Sequence, residues 1–72
     1  MTETIDSKIG NKIRKFRLKL GLQAKKLAEL INISPTYLNL IENGKRKLDG
    51  ALLLKVCQEL RIEISDLVDE NL

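Results

Sequence analysis

Between Ser34 and Gly44 the chain leaves room for a helix of about two turns and no more. Ser34 suits the N-cap, Pro35 the first helical position, and Asn43-Gly44 supplies a C-terminal stop. A helix that short is marginal in water by itself. It must be held by packing along one side, which leaves its other side open to a partner. Whatever else the chain folds into has to provide that support.

The surrounding text reads as more helices. Apolar residues recur with helical period and nothing alternates with period two over a useful length, so the fold class is all-α. Helix 1 is expected from about Ser7 to Leu20, with Ile9, Ile13, Phe16 and Leu20 in one apolar stripe and Gly21 ending it. Lys8, Lys12, Lys15 and Lys19 repeat that rhythm one residue earlier and form a basic stripe beside it. Helix 2 is expected from about Ala24 to Ile31, burying Leu27, Ala28 and Ile31, with Asn32 in the left-handed position after it. Two short helices joined by so tight a turn are the mark of a helix-turn-helix. A fourth helix runs from Asp49 or Gly50 to Leu60, with Leu52, Leu53, Val56, Cys57 and Leu60 inward. A brief fifth is expected to be capped by Ser65 and to close the core with Ile64, Leu67 and Val68. The domain reading is a flexible tail over 1–6 and one compact five-helix domain over 7–69.

At 72 residues the chain is near the lower size limit for folding without a metal or disulfide. Its single Cys57, flanked by Val56 and Leu60, reads as a buried, inert thiol, and a reducing, cytoplasmic setting suits it. The start MTETIDSK lacks a basic region followed by an apolar run, and no stretch approaches the roughly 18 apolar residues of a membrane span, so a soluble protein is expected. Charge is unevenly placed: residues 1–47 hold 11 Lys/Arg against 4 Asp/Glu, giving +7, and residues 48–72 hold 2 against 6, giving −4. Such polarity suits a polyanionic partner, although basic side chains also serve simply to solvate helix surfaces.

Leu38 and Ile41 set the buried direction of helix 3, which turns Thr36, Asn39, Leu40 and Asn43 outward and puts Tyr37 and Glu42 on the flanks. Asn39 can pair with adenine, Thr36 and Leu40 can touch a thymine methyl, and Tyr37 can reach a phosphate. An ordinary solvated face is the plainer alternative. Lys45, Arg46 and Lys47 follow at once, where a groove-docked helix meets the duplex backbone, but any Lys-rich loop looks the same. Glu42 lies close enough to the core direction to need a cation, and a bidentate Arg17 from late in helix 1 would set the angle between the two helices.

The text IGNKIRKFRLKLGL, KKLAELINIS, TYLNLIENGKR, LLLKVCQEL and ISDL, spanning about residues 9–68, resembles the lambda-repressor-like helix-turn-helix family of the Cro/CI or XRE type. That resemblance implies a five-helix DNA-binding domain whose third helix, about 34–42, enters the major groove, commonly as a homodimer on an inverted-repeat operator. Carried over by position, it implies base-reading roles for Pro35, Thr36, Tyr37, Asn39 and Leu40. It implies phosphate contacts from Arg14, Gln23, Lys25, Asn43, Lys45, Arg46 and Lys47, and a structural ion pair between Arg17 and Glu42. Many relatives place Ser-Gln at the start of helix 2, whereas Gln23-Ala24 stand here, so Gln23, Lys25 or backbone N–H groups take over any phosphate contact there. The SPTYLNLIE and KLDGALLL text also resembles the N-terminal domain of larger regulators.

The function expected is therefore that of a sequence-specific transcriptional regulator, a repressor by the commoner habit of the family, with double-stranded DNA as partner and no cofactor. The alternative is a protein-interaction module, an antitoxin or phage regulator that holds a partner through its acidic, Leu-rich second half, where Leu54, Leu67, Val68 and Leu72 suggest an apolar seam. Catalysis finds no support: there is no His, no carboxylate pair with reason to share a site, no phosphate-binding glycine loop and no metal-ligand spacing. A membrane-surface role for helix 1 lacks aromatic anchors, and the sequence leaves any small-molecule effector open.

Overall fold

In the computed structural model, which describes residues 4–68, five helices follow one another: α1 (Ile5–Lys19), α2 (Ala24–Leu30), α3 (Pro35–Glu42), α4 (Gly50–Leu60) and α5 (Ile64–Leu67). α1 starts earlier than the sequence suggests because Thr4 accepts the Ser7 N–H at 3.0 Å through Oγ1 and so caps the helix. Ile5 and Asp6, assigned to a tail by sequence, are its first turn. Asp49 caps α4 by accepting the Leu52 N–H through Oδ1 at 2.8 Å. α5 differs from expectation at its start: Glu63, not Ser65, is the N-cap, and Asp66 reaches back to accept the Glu63 N–H at 2.8 Å.

The first four helices stop in one way. A left-handed residue follows each, Gly21 (φ 71), Asn32 (φ 63), Gly44 (φ 73) and Arg61 (φ 57). Its N–H and the next one turn back onto the last free carbonyls, as in Asn32 to Glu29 at 3.1 Å and Ile33 to Ala28 at 2.9 Å. These paired bonds satisfy acceptors that would otherwise be orphaned and reverse the chain within two residues. The tight α2–α3 turn is therefore a consequence of the way α2 ends.

The core draws on every helix: Ile13 from α1, Leu27 and Ala28 from α2, Leu38 and Ile41 from α3, Leu52, Val56, Cys57 and Leu60 from α4, and Leu67 from α5, with Ile31 closing the α2 end. α1 is the spine, packing against α3, α4 and α5, while α2 rests on α3. Leu20, expected to continue the stripe of α1, is 49% exposed because the helix has already ended and the chain is turning at Gly21. Ile64 and Val68 are 44% and 40% exposed, so Leu67 alone carries α5 into the core. Leu72 and residue 69 lie outside the described residues. Burial pushes the Cys57 thiol up, and the Asp66 carboxylate adds to that effect.

α1 and α3 cross at Gly10. A Cβ there would stand 2.7 Å from the Glu42 carbonyl oxygen and 2.9 Å from its carbon, and backbone cannot yield as a side-chain tip can. Gly10 thus sits inside a helix, where glycine costs about 1 kcal/mol relative to alanine, because the helices meet at backbone distance. Gly50, by contrast, faces open space. Gly10→Ala is expected to lower the stability of the fold in urea despite alanine's better helix propensity, whereas Gly50→Ala should be neutral or raise it by about 0.5 kcal/mol.

Candidate nucleic-acid interface

α3 is short, and its three buried side chains, Leu38, Ile41 and Glu42, all belong to one face. Ser34 Oγ accepts the Tyr37 N–H at 3.0 Å at its start, and Pro35 occupies the first turn. At its other end Glu42, 7% exposed, meets Arg17, also 7% exposed. Arg17 Nε donates to Glu42 Oε2 at 2.8 Å, Nη2 donates to Oε1 at 3.1 Å, and Nη1 donates to the Leu22 carbonyl at 2.8 Å. One guanidinium so ties α1, the turn after it and α3 together, and no buried side-chain polar atom among the described residues lacks a partner. The pair follows from the position of Glu42 in the sequence. The Leu22 carbonyl does not, because its approach depends on the turn at Gly21.

With that face held, Pro35, Thr36, Asn39 and Asn43 are exposed and Tyr37 stands at the edge of exposure. Leu40 is half-buried at the margin of this surface and is less available than its sequence position suggests. A groove opens where α1, α2 and α3 converge, lined by Arg14, Arg17, Ala24, Pro35, Asn39, Glu42 and Asn43. Arg14, exposed on α1, contributes a cation to it. Gln23 is the N-cap of α2 but makes no capping hydrogen bond, so its amide is available. Lys25 is exposed in the first turn of α2, and Lys45, Arg46 and Lys47 are exposed in the segment after Gly44. The outward positions of α3 carry hydrogen-bonding groups and no charge, while cations stand on the segments around them.

A helix-turn-helix family profile matches residues 13–67. The chain belongs to the XRE-type helix-turn-helix family. It is 36% identical over 67 residues to the control protein C.MunI of a Mycoplasma species, a match covering 92% of this chain and 90% of that one. It is 38% identical over 58 residues to the propionyl-CoA carboxylase regulator of Cereibacter sphaeroides and 34% over 55 residues to the regulator RamB of Mycobacterium tuberculosis. Those matches take in 81% and 76% of this chain but span only 13% and 12% of the relatives' length. Among solved structures, the clp gene regulator ClgR of Corynebacterium glutamicum superposes with a TM-score of 0.86 at 30% identity, over 92% of this chain and 86% of that one. The restriction-modification controller C.AhdI of Aeromonas hydrophila gives 0.81 at 31% identity, over 86% and 94%.

The all-helical, DNA-binding class of this helix-turn-helix domain agrees with the order of its elements, and the family is not normally enzymatic. No described helix is long and apolar enough to cross a membrane. No cluster of three or more His, Cys, Asp or Glu suited to a metal ion occurs among the described residues.

Because Arg17 and Glu42 are both buried, removing one leaves the other charged and unpaired. Glu42→Ala is expected to destabilise the fold by about 3 kcal/mol in a denaturant titration. The paired change Arg17→Met with Glu42→Leu should recover most of that loss.

Proposed function

We propose that this helix-turn-helix domain is a sequence-specific transcriptional regulator that places α3 in the major groove of duplex DNA. The observation that carries the reading is the division of α3 into a face fully committed to the core and an exposed face of uncharged hydrogen-bonding groups ringed by cations. Thr36, Tyr37 and Asn39 read base edges, with Pro35 setting the entry of the helix and Leu40 giving an apolar margin. Arg14, Gln23, Lys25, Lys45, Arg46 and Lys47 contact phosphates on either side and supply affinity without sequence information. The domain acts as a repressor in the cytoplasm, as a homodimer on an inverted repeat with half-sites about one helical turn apart. The presence of restriction-modification controllers and gene regulators among its relatives supports this reading.

A second reading is favoured by the exposed Leu18, Leu20, Leu30 and Leu54, and by a shallow groove where Leu20, Leu22 and Leu30 face Gln58, Glu59 and Arg61. Such apolar surface suits a protein partner, whether a second copy or the target of an antitoxin-like or phage-type regulator. Sedimentation across a concentration series, with and without DNA, separates these: a strict monomer on DNA removes the homodimer.

Selection of bound duplexes from a random pool at moderate salt is expected to return an inverted repeat. On that sequence Asn39→Ala should cost about 1 to 3 kcal/mol and relax preference at one base pair. Lys45→Ala should weaken matched and scrambled duplexes alike and lower the slope of log K against log salt by about 0.9 for each protomer bound. If both variants produce the same uniform loss, α3 does not read the groove.

A further inference from the structure

Asn43 is the C-cap of α3, one turn beyond Asn39, and both are exposed on the groove side. The side-chain Nδ2 of Asn43 donates to the backbone carbonyl oxygen of Asn39 at 2.9 Å and also to Asn39 Oδ1. The first of these bonds decides the second. A main-chain carbonyl only accepts, so the Asn43 atom against it is the amide nitrogen. That nitrogen can only donate, so the Asn39 side-chain atom facing it must answer with its oxygen. The orientation of Asn39 is therefore dictated by a peptide group whose chemistry does not change. Its own Nδ2 is turned away from Asn43, and no hydrogen bond engages it among the described residues.

We propose that Asn43 is a positioning residue for base reading: it holds the Asn39 amide with its nitrogen presented to the groove, so that the facing base must offer an acceptor. This rests on the base-reading role of Asn39 given above. A purine N7, guanine O6 or thymine O4 meets the requirement, and the amino group of cytosine does not. The same geometry separates Asn43 from the phosphate-binding set in which sequence position places it. Its amide nitrogen already serves two acceptors of Asn39, and its oxygen cannot donate to a phosphate.

The test repeats the random-pool selection with the 72-residue chain and with N39A, N43A, the double variant and N43D. Circular dichroism melts serve as the check that each is folded. The wild type should favour an acceptor-bearing base at one position of each half-site, and N39A should flatten that position. N43A is expected to flatten the same position by about tenfold while leaving affinity for scrambled duplexes within about twofold, and the double variant should show no further flattening. In N43D the carboxylate accepts from the Asn39 nitrogen and reverses the amide, moving the preference toward a base that donates. A uniform loss in N43A with the base profile intact, or a wild-type profile retained in N43D, overturns the proposal. A wild-type pool with no enriched sequence removes the underlying reading as well, and is distinguishable because it does not depend on Asn43.

Discussion

Three hydrogen bonds from the Arg17 guanidinium, two to Glu42 and one to the Leu22 carbonyl, hold α3 where the rest of the surface can use it. Taking both charges out of water is costly, and a pair of apolar residues of similar volume often stabilises a fold equally well. What an apolar pair lacks is direction. Two parallel bonds between a planar fork and a carboxylate fix the rotation of one helix against the other, and the bond to Leu22 orients the fork itself. Glu42 also sits at the C-terminal end of α3, the wrong end for a negative charge beside the helix dipole, whereas Arg17 in the last turn of α1 is at the favourable end of its own. The two positions are unequal alone and compensate when joined.

Close backbone packing completes the clamp. Gly10 lets α1 approach the Ile41–Glu42 carbonyls, and Gly44 lies over Ser7, where a Cβ would come within 2.7 Å of the Ser7 Cα. Both contacts and the ion pair engage the C-terminal half of α3, while Leu38 and the Ser34 cap secure the other half. Held at both ends from one side, so short a helix needs no stability of its own. Its exposed side chains can then be chosen for what they recognise and not for what they stabilise.

Much of this is legible in the order of residues alone. Ser34, Pro35, Asn43 and Gly44 bound α3 through local chemistry, Asn32 marks the α2–α3 turn for the same reason, and Glu42 betrays its need for a cation by lying near the core direction. The features that escape are those with the partner supplied from elsewhere. Gly10 looks like a weak point in a helix until the carbonyls of α3 are placed against it. Leu20 keeps the helical rhythm but stands past the last turn, and Ile64 shares the apolar character of Leu67 without its place in the core. The α5 cap relies on Asp66 folding back to Glu63, a poorer cap residue than the nearby Ser65. Around the interface, the exposure of Thr36 and Asn39 follows from the angle of each on α3, whereas the bond between Asn39 and Asn43 depends on rotamers that spacing does not reveal.

The packing order gives the charge asymmetry its spatial meaning. α3 packs on α1 and carries α2 with it, while α4 and α5 pack on α1 and on each other. Among the described residues, Lys45, Arg46 and Lys47 are exposed just past α3, and Arg14 is exposed on α1 where it lines the groove. A net charge of +3 would attract a polyanion only weakly if it were spread evenly. Cations standing beside α3 strengthen the field that a polyanion would meet there. The helix that supplies Arg17 to the clamp beneath α3 thus also supplies Arg14 to the groove beside it.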